Sequence, residues 1–321
     1  MGWMRGALLT FLIVCGAPGA WAAPAEVTVG SYVKQVRDLD FKSNKYTVDF
    51  FIWFRWQAVG PLADYKPLES FEIVNGTEES KTSVVEKTVG EVRYASARIV
   101  ATMSEPWELA SYPFDRHRVS VHIEDSGMTT QELVFVADQA NSRLGDEMNI
   151  AGWNASRFGS QVGTKVYHSN YGDPSLPGDA RSDFSRFAFS FDLDRQSFGS
   201  ALKLLSTVLL ATAVAFVAFL VKPSDLDARF GMGVGSLFAV AASAFIAASS
   251  VPDSGVMTVA DNIHMVALAF IFGTLLISAV CLKLEVTDRE ALALRIDRLC
   301  VLWLPLLFYG WAAWAVYQAL R

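Results

Sequence analysis

The chain has 321 residues, 52% hydrophobic and 19% charged, which is too apolar for an ordinary soluble domain of this length. That balance excludes a purely cytosolic enzyme, and a net charge of −6 without any Lys/Arg-rich block leaves no electrostatic footprint for nucleic acid. The length admits two domains.

In chain order, residues 1–22 read as a secretory signal. Arg5 gives a positive start, residues 7–14 are apolar, and Ala20-Trp21-Ala22 is a cleavage pattern. Residues 23–199 carry a dominant period of two. Tyr46, Val48, Phe50, Ile52, Phe54 and Trp56 share one strand face, while Thr47, Asp49, Phe51, Trp53, Arg55 and Gln57 take the other. Further strand-like runs at 27–36, 91–103, 119–124, 132–137, 153–166 and 184–193, separated by turn residues, predict an immunoglobulin-like β-sandwich. Cys15 leaves with the signal, and Cys281 and Cys300 fall in or beside apolar segments, so no disulfide staples this domain.

Residues 200–321 change character. Four apolar stretches predict membrane helices at about 201–221, 228–250, 258–283 and 298–320. With the first domain exported, connections 222–229 and 283–298 fall inside the cell. The outer connection 252–261 has no Lys or Arg, as the positive-inside rule requires. Phosphate-binding glycine loops, HExxH, CxxC and G-x-S-x-G are all missing from the sequence, which argues against an enzyme and implies no cofactor or metal.

Trp107-Glu108-Leu109-Ala110-Ser111-Tyr112-Pro113-Phe114-Asp115 resembles the signature loop of the Cys-loop receptor superfamily, the pentameric ligand-gated ion channels. Glu105 and Val119 stand where animal members carry the loop cysteines, a departure shared with bacterial members. Gly152-Trp153, Asp194-Arg195-Gln196 before the first span, and Pro252 with Met257-Thr258 after the second extend the resemblance over the mature chain. It implies a homopentameric channel of a bacterial inner membrane, its N-terminal domain periplasmic, opened there by a small-molecule agonist or by protons. The partners implied are four further copies, the lipid bilayer and permeating ions, with no nucleic acid. An aromatic-Pro pair favours a type VI turn with a cis bond. By resemblance, Tyr112, Pro113, Phe114 and Asp115 couple the domains, with Arg195 pairing Asp115, Asp38 or Asp40 joining them, and Pro252 receiving the motion.

Residues 230–250 hold three Gly, six Ala and four Ser, which permits close helix packing. Polar periodicity alone selects a stripe of Ser236, Ser243 and Ser250. The resemblance instead places Asp227, Gly231, Gly235, Phe238, Ala242, Phe245 and Ser249 on the pore face, with Phe238 and Phe245 as apolar gate rings. A ring of Asp227 favours cations. Yet Ala228-Arg229-Phe230-Gly231-Met232-Gly233 also resembles the start of this helix in anion-conducting glycine and GABA receptors, so Arg229 competes for the selectivity role. A non-conducting sensor of the same fold is a further alternative, since the first span lacks the mid-helix proline usual in the family and Gly235 stands where most members carry a polar ring. For the agonist, the family's aromatic box suggests Phe71 and the hairpin residues Tyr167, His168 and Tyr171. His117, His122 and His168 are the groups able to titrate near neutral pH.

Overall fold

The structure, a computed structural model, describes residues 23–321 except 173, 175, 176, 179, 250 and 252–254. The expected signal at 1–22, and Ser250 and Pro252, therefore lie outside the described residues.

Among the described residues the first domain has ten strands: β1 (Ala25–Asp40), β2 (Lys45–Gln57), β3 (Phe71–Ile73), β4 (Gly76–Val89), β5 (Val92–Ser104), β6 (Arg116–Asp125), β7 (Leu133–Ala137), β8 (Arg143–Leu144), β9 (Trp153–His168) and β10 (Arg181–Arg195). One sheet runs β4-β5-β2-β1-β7, with β8 beside β1; the other runs β3-β6-β10-β9. The even-numbered residues of β2 from Tyr46 to Trp56 are buried between the sheets, as a period of two on a half-buried strand requires. Three of their six neighbours in register on β5 are small: Ala101 beside Val48, Ala97 beside Ile52 and Ala95 beside Phe54. These alanines leave room for Phe187, Phe189 and Phe191 of the facing sheet, with Phe50 and Phe189 edge to face at 5.1 Å.

The short β3 and β8, the long β4 and one helical turn fall outside the strand-like runs of the sequence. β4 reads Gly-Thr-Glu-Glu-Ser-Lys-Thr-Ser and is exposed almost throughout. As an edge strand it buries neither face, so no apolar alternation announces it. A single helical turn, α1 (Pro67–Ser70), starts on a proline just before β3.

Among the described residues the second domain has four helices, each long and apolar enough to cross a membrane: α2 (Ser197–Val217), α3 (Leu226–Ser249), α4 (Val259–Val286) and α5 (Glu290–Ala319). The fourth starts at Glu290, eight residues ahead of the expected 298. Hydropathy ends a span at the first charges, whereas a helix continues while good helix formers last, and Glu-Ala-Leu-Ala-Leu-Arg holds no breaker. A 3₁₀ turn (Ala218–Leu220) closes α2. Val208, Ala215, Phe216, Val240, Ala267, Ile271 and Phe308 form the core of the bundle.

Candidate functional site

The two domains meet at the loop between β5 and β6. Its base is drawn together without a covalent bond. The Tyr46 hydroxyl lies 3.0 Å from Glu105 Oε2 and accepts the Ser120 N–H at 3.1 Å, while the Ser120 hydroxyl donates to Glu105 at 3.2 Å. At its tip the Tyr112–Pro113 peptide is cis and the Phe114 N–H donates to the Ser111 carbonyl at 2.8 Å. This turn sets Asp115 beside the last residue of β10. Arg195 donates to both Asp115 oxygens through Nε and Nη2 at 2.7 and 2.8 Å, and His117 Nε2 sits 2.6 Å from Oδ2. Three rings surround the guanidinium: Trp153 at 4.2 Å, Phe41 at 5.0 Å and Tyr112 at 5.1 Å from ring centre. Burial by itself would raise the Asp115 carboxyl. The hydrogen bonds from His117 and Arg195 outweigh it and hold the group below the ordinary carboxylate value of 3.8.

Backbone groups of the same loop complete the start of α4. The first N–H groups of a helix lack intrahelical acceptors. Here Val259 donates to the Ala110 carbonyl at 3.1 Å and Ala260 to the Tyr112 carbonyl at 3.2 Å. The next donor, Asp261 N–H, is satisfied by Thr258 Oγ1 at 3.1 Å within a capping box, Asp261 reaching back to the Thr258 N–H at 3.0 Å. The side chains of Asp38 and Asp40 do not join this network, although the Asp40 carbonyl accepts from Trp107 Nε1 of the loop at 3.1 Å. Asp38 is exposed beside Arg37 at 3.7 Å, and Asp40 closes its own turn by accepting from the backbone N–H groups of Lys42 and Ser43 and from the Ser43 hydroxyl.

Along α3 the buried residues are Arg229, Gly233, Ser236, Val240, Ser243 and Ala247, spaced four and three apart on one stripe. The opposite face exposes Asp227, Gly231, Gly235, Phe238, Ala242, Phe245 and Ser249, with Phe238 69% and Phe245 78% exposed. Ser236 and Ser243 thus belong to packing inside the subunit, and Ser243 Oγ lies 3.0 Å from His264 Nε2 of α4. The glycines divide in the same way. A Cβ on Gly233 would stand 2.4 Å from the Leu275 side chain, whereas at Gly231 and Gly235 it would meet open space. Arg229, the competing selectivity residue, points into the bundle. Its Nη2 is 2.6 Å from Asp297 Oδ1 of α5, its Nε donates to the Ala218 carbonyl at 3.0 Å, and Phe219 lies 5.7 Å from the guanidinium carbon.

No protein-family profile matches the chain. It is 22% identical over 304 residues to the proton-gated ion channel of Gloeobacter violaceus, covering 89% of this chain and 80% of that one. That match spans both the sandwich and the helices. The chain is a homologue of the Cys-loop receptor superfamily of pentameric ligand-gated ion channels. It lacks the two loop cysteines. A stretch of 187 residues, 58% of this homologue, is 22% identical to glycine receptor subunit beta of Rattus norvegicus and of Homo sapiens, covering 36% and 35% of those chains.

The agonist residues expected of this Cys-loop homologue scatter. Phe71 is a core residue, buried against Phe54 with Lys81 4.8 Å above its ring, because the short β3 turns it inward. Tyr167 is held in a polar cluster: its hydroxyl donates to Glu124 at 3.0 Å and accepts from Arg186 Nη2 at 3.0 Å, and Arg186 Nε donates to Glu124 at 2.5 Å. Burial and the Glu124 carboxylate raise the phenol's pKa and keep it a donor. His168 is exposed where β9 ends, and Tyr171 is exposed with its ring 6.3 Å from that of Tyr167. Of the histidines, His117 is sequestered at Asp115, and burial with the nearby Arg186 lowers the pKa of His122 from 6.5. Three partners escaped the sequence reading: Glu124, Arg186 and Asp297. The first two stand across the sheet from Tyr167, and Asp297 continues the buried stripe of Ala293, Phe308 and Ala312 on α5.

Proposed function

We propose that this chain, freed of residues 1–22, assembles as a homopentameric ligand-gated cation channel in a bacterial inner membrane, its sandwich on the periplasmic side. The observation that carries this reading is the two-faced α3. One stripe is committed to the bundle, and the other offers Asp227, Gly231, Gly235, Phe238, Ala242, Phe245 and Ser249 to an axis shared with neighbouring copies. In that arrangement rings of Phe238 and Phe245 close the path by dewetting, and Asp227 forms an acidic ring at the inner mouth. Seclusion of Arg229 against Asp297 supports cations over anions.

Gating acts by differential affinity: a stimulus at the sandwich shifts the equilibrium only by its preference for the open state. The change passes from the 112–115 loop and Arg195 through the carbonyls of Ala110 and Tyr112 into α4, and from there through the 252–258 connection into α3. The stimulus is a small ligand at the hairpin of Tyr167, His168 and Tyr171, or protons, as the name of the Gloeobacter relative suggests. The test is current across a planar bilayer under a KCl gradient, while outer pH is stepped and small amines are added. Gated current reversing near the potassium potential supports the reading, and reversal near the chloride potential overturns its cation part. Silence of both wild type and Phe238→Ala would favour a non-conducting sensor.

A further inference from the structure

A charged side chain within a membrane-spanning bundle calls for a partner and marks a functional position. Arg229 has the bundle's most secluded guanidinium, fully buried between the 3₁₀ turn after α2, α3 and α5. Asp227 is two residues away on the same helix, hence about 200° around it and on the exposed face. The two charges share one helical turn and oppose each other in sign. Left alone, a buried cation there would offset the Asp227 ring for any ion nearby, because low-dielectric surroundings screen it poorly. Asp297, itself almost fully buried, places its Oδ1 2.6 Å from Arg229 Nη2. The Ala218 carbonyl and the Phe219 ring add neutral partners that orient the guanidinium without cancelling its charge.

We infer that Asp297 of α5 is a selectivity-determining residue that never touches the ion path: by neutralising Arg229 from behind the pore helix it leaves Asp227 to set the sign of the field at the inner mouth. This deepens the channel reading above and rests on it. Asp297 acts through Arg229 and is therefore a positioning residue, so its test needs a readout that loss of packing alone would not move.

That readout is the potassium-to-chloride permeability ratio, from reversal potentials of the full chain in planar bilayers under a KCl gradient. Asp297→Asn, which unmasks five Arg229 charges, should lower the ratio by about threefold or more, the scale of a unit charge acting over roughly 10 Å through water. Asp297→Glu should keep most of the wild-type ratio, and the neutral pair Arg229→Gln with Asp297→Asn should return it. A conducting Asp297→Asn with the wild-type ratio overturns the inference and leaves the channel reading standing. Should the single variant fail to assemble, the double variant decides: a wild-type ratio supports neutralisation, a raised ratio means the pore already felt Arg229, and loss of assembly there too assigns the pair to structure alone. Silence of wild type and Phe238→Ala removes the channel reading and the inference together.

Discussion

An Arg–Asp pair pins each end of the helical domain, and the two pairs are built differently. At the outer end Arg195 engages both oxygens of Asp115 inside a ring of aromatics, and His117 takes up further acceptor capacity of the same carboxylate. At the inner end Arg229 approaches one oxygen of Asp297, but among the described residues its Nη1 and Nη2 and Asp297 Oδ1 make no hydrogen bond of good geometry. Burying charge costs several kcal/mol per ion, and only good geometry with further hydrogen bonds repays it. The outer pair has that geometry, which suits a contact that transmits force between domains. The inner pair serves charge balance more than strength. Its energetic margin is correspondingly smaller.

Removing one partner of the outer pair gives the largest expected effect. Asp115→Asn leaves Arg195 buried and uncompensated, at a cost of about 3–5 kcal/mol, measurable as a lowered thermal midpoint of the purified protein. An unchanged midpoint would erase the distinction between the two ends. Acid probes the same pair without mutation. A carboxyl held below its unfolded value contributes stability that is complete above that value and is lost only as pH falls through the folded one. The Asp115 contribution should therefore persist down to pH 3.8 and disappear below it. His122 has the same sign at a different window: its lowered pKa makes the folded state lose ground to the unfolded as pH falls below 6.5. Thermal melts of wild type against His122→Gln between pH 7 and 5 should differ in slope.

The faces of α3 give smaller and opposite effects. Gly233→Ala drives a methyl into Leu275 and should destabilise by about 1–3 kcal/mol unless that side chain swings away. Gly231→Ala meets open space and should stabilise the isolated helix by up to about 1 kcal/mol. Equal melting shifts would show that the packed and open faces have been misassigned. On the open face Phe238→Ala should raise resting leak or agonist sensitivity, and Asp227→Asn should weaken cation preference. A wild-type reversal potential in Asp227→Asn would place selectivity elsewhere. Smallest is Tyr46→Phe, which removes one hydroxyl from the base of the loop and should cost about 1 kcal/mol in thermal stability.

Much of the architecture could be read from the residues because burial leaves periodic traces. β2 alternates, the spans are uninterrupted, and the aromatic-Pro pair marks its own turn. What stayed hidden was either exposed on every side or fixed by distant partners. β4 is polar on both faces. Phe71 looked like a binding-loop aromatic but fills the core, and Asp40 looked available for coupling but is consumed by the turn it closes. Asp297 lay within what reads as a charged connection, and its role depends on an arginine sixty-eight positions earlier that only the bundle brings near. The choice between the serine stripe and the phenylalanine face could not be made from polarity, since a serine can be buried against a neighbouring helix, as Ser243 is beside His264, as well as face water.

The junction at α4 also carries its own reporter. The amide hydrogens of Val259 and Ala260 are held by carbonyls of the other domain rather than by their own helix. Their exchange with deuterated solvent therefore times the parting of loop from helix. Two backbone amides thus read the contact between domains while no current flows, in detergent or in a closed pore, on a clock independent of ion conduction.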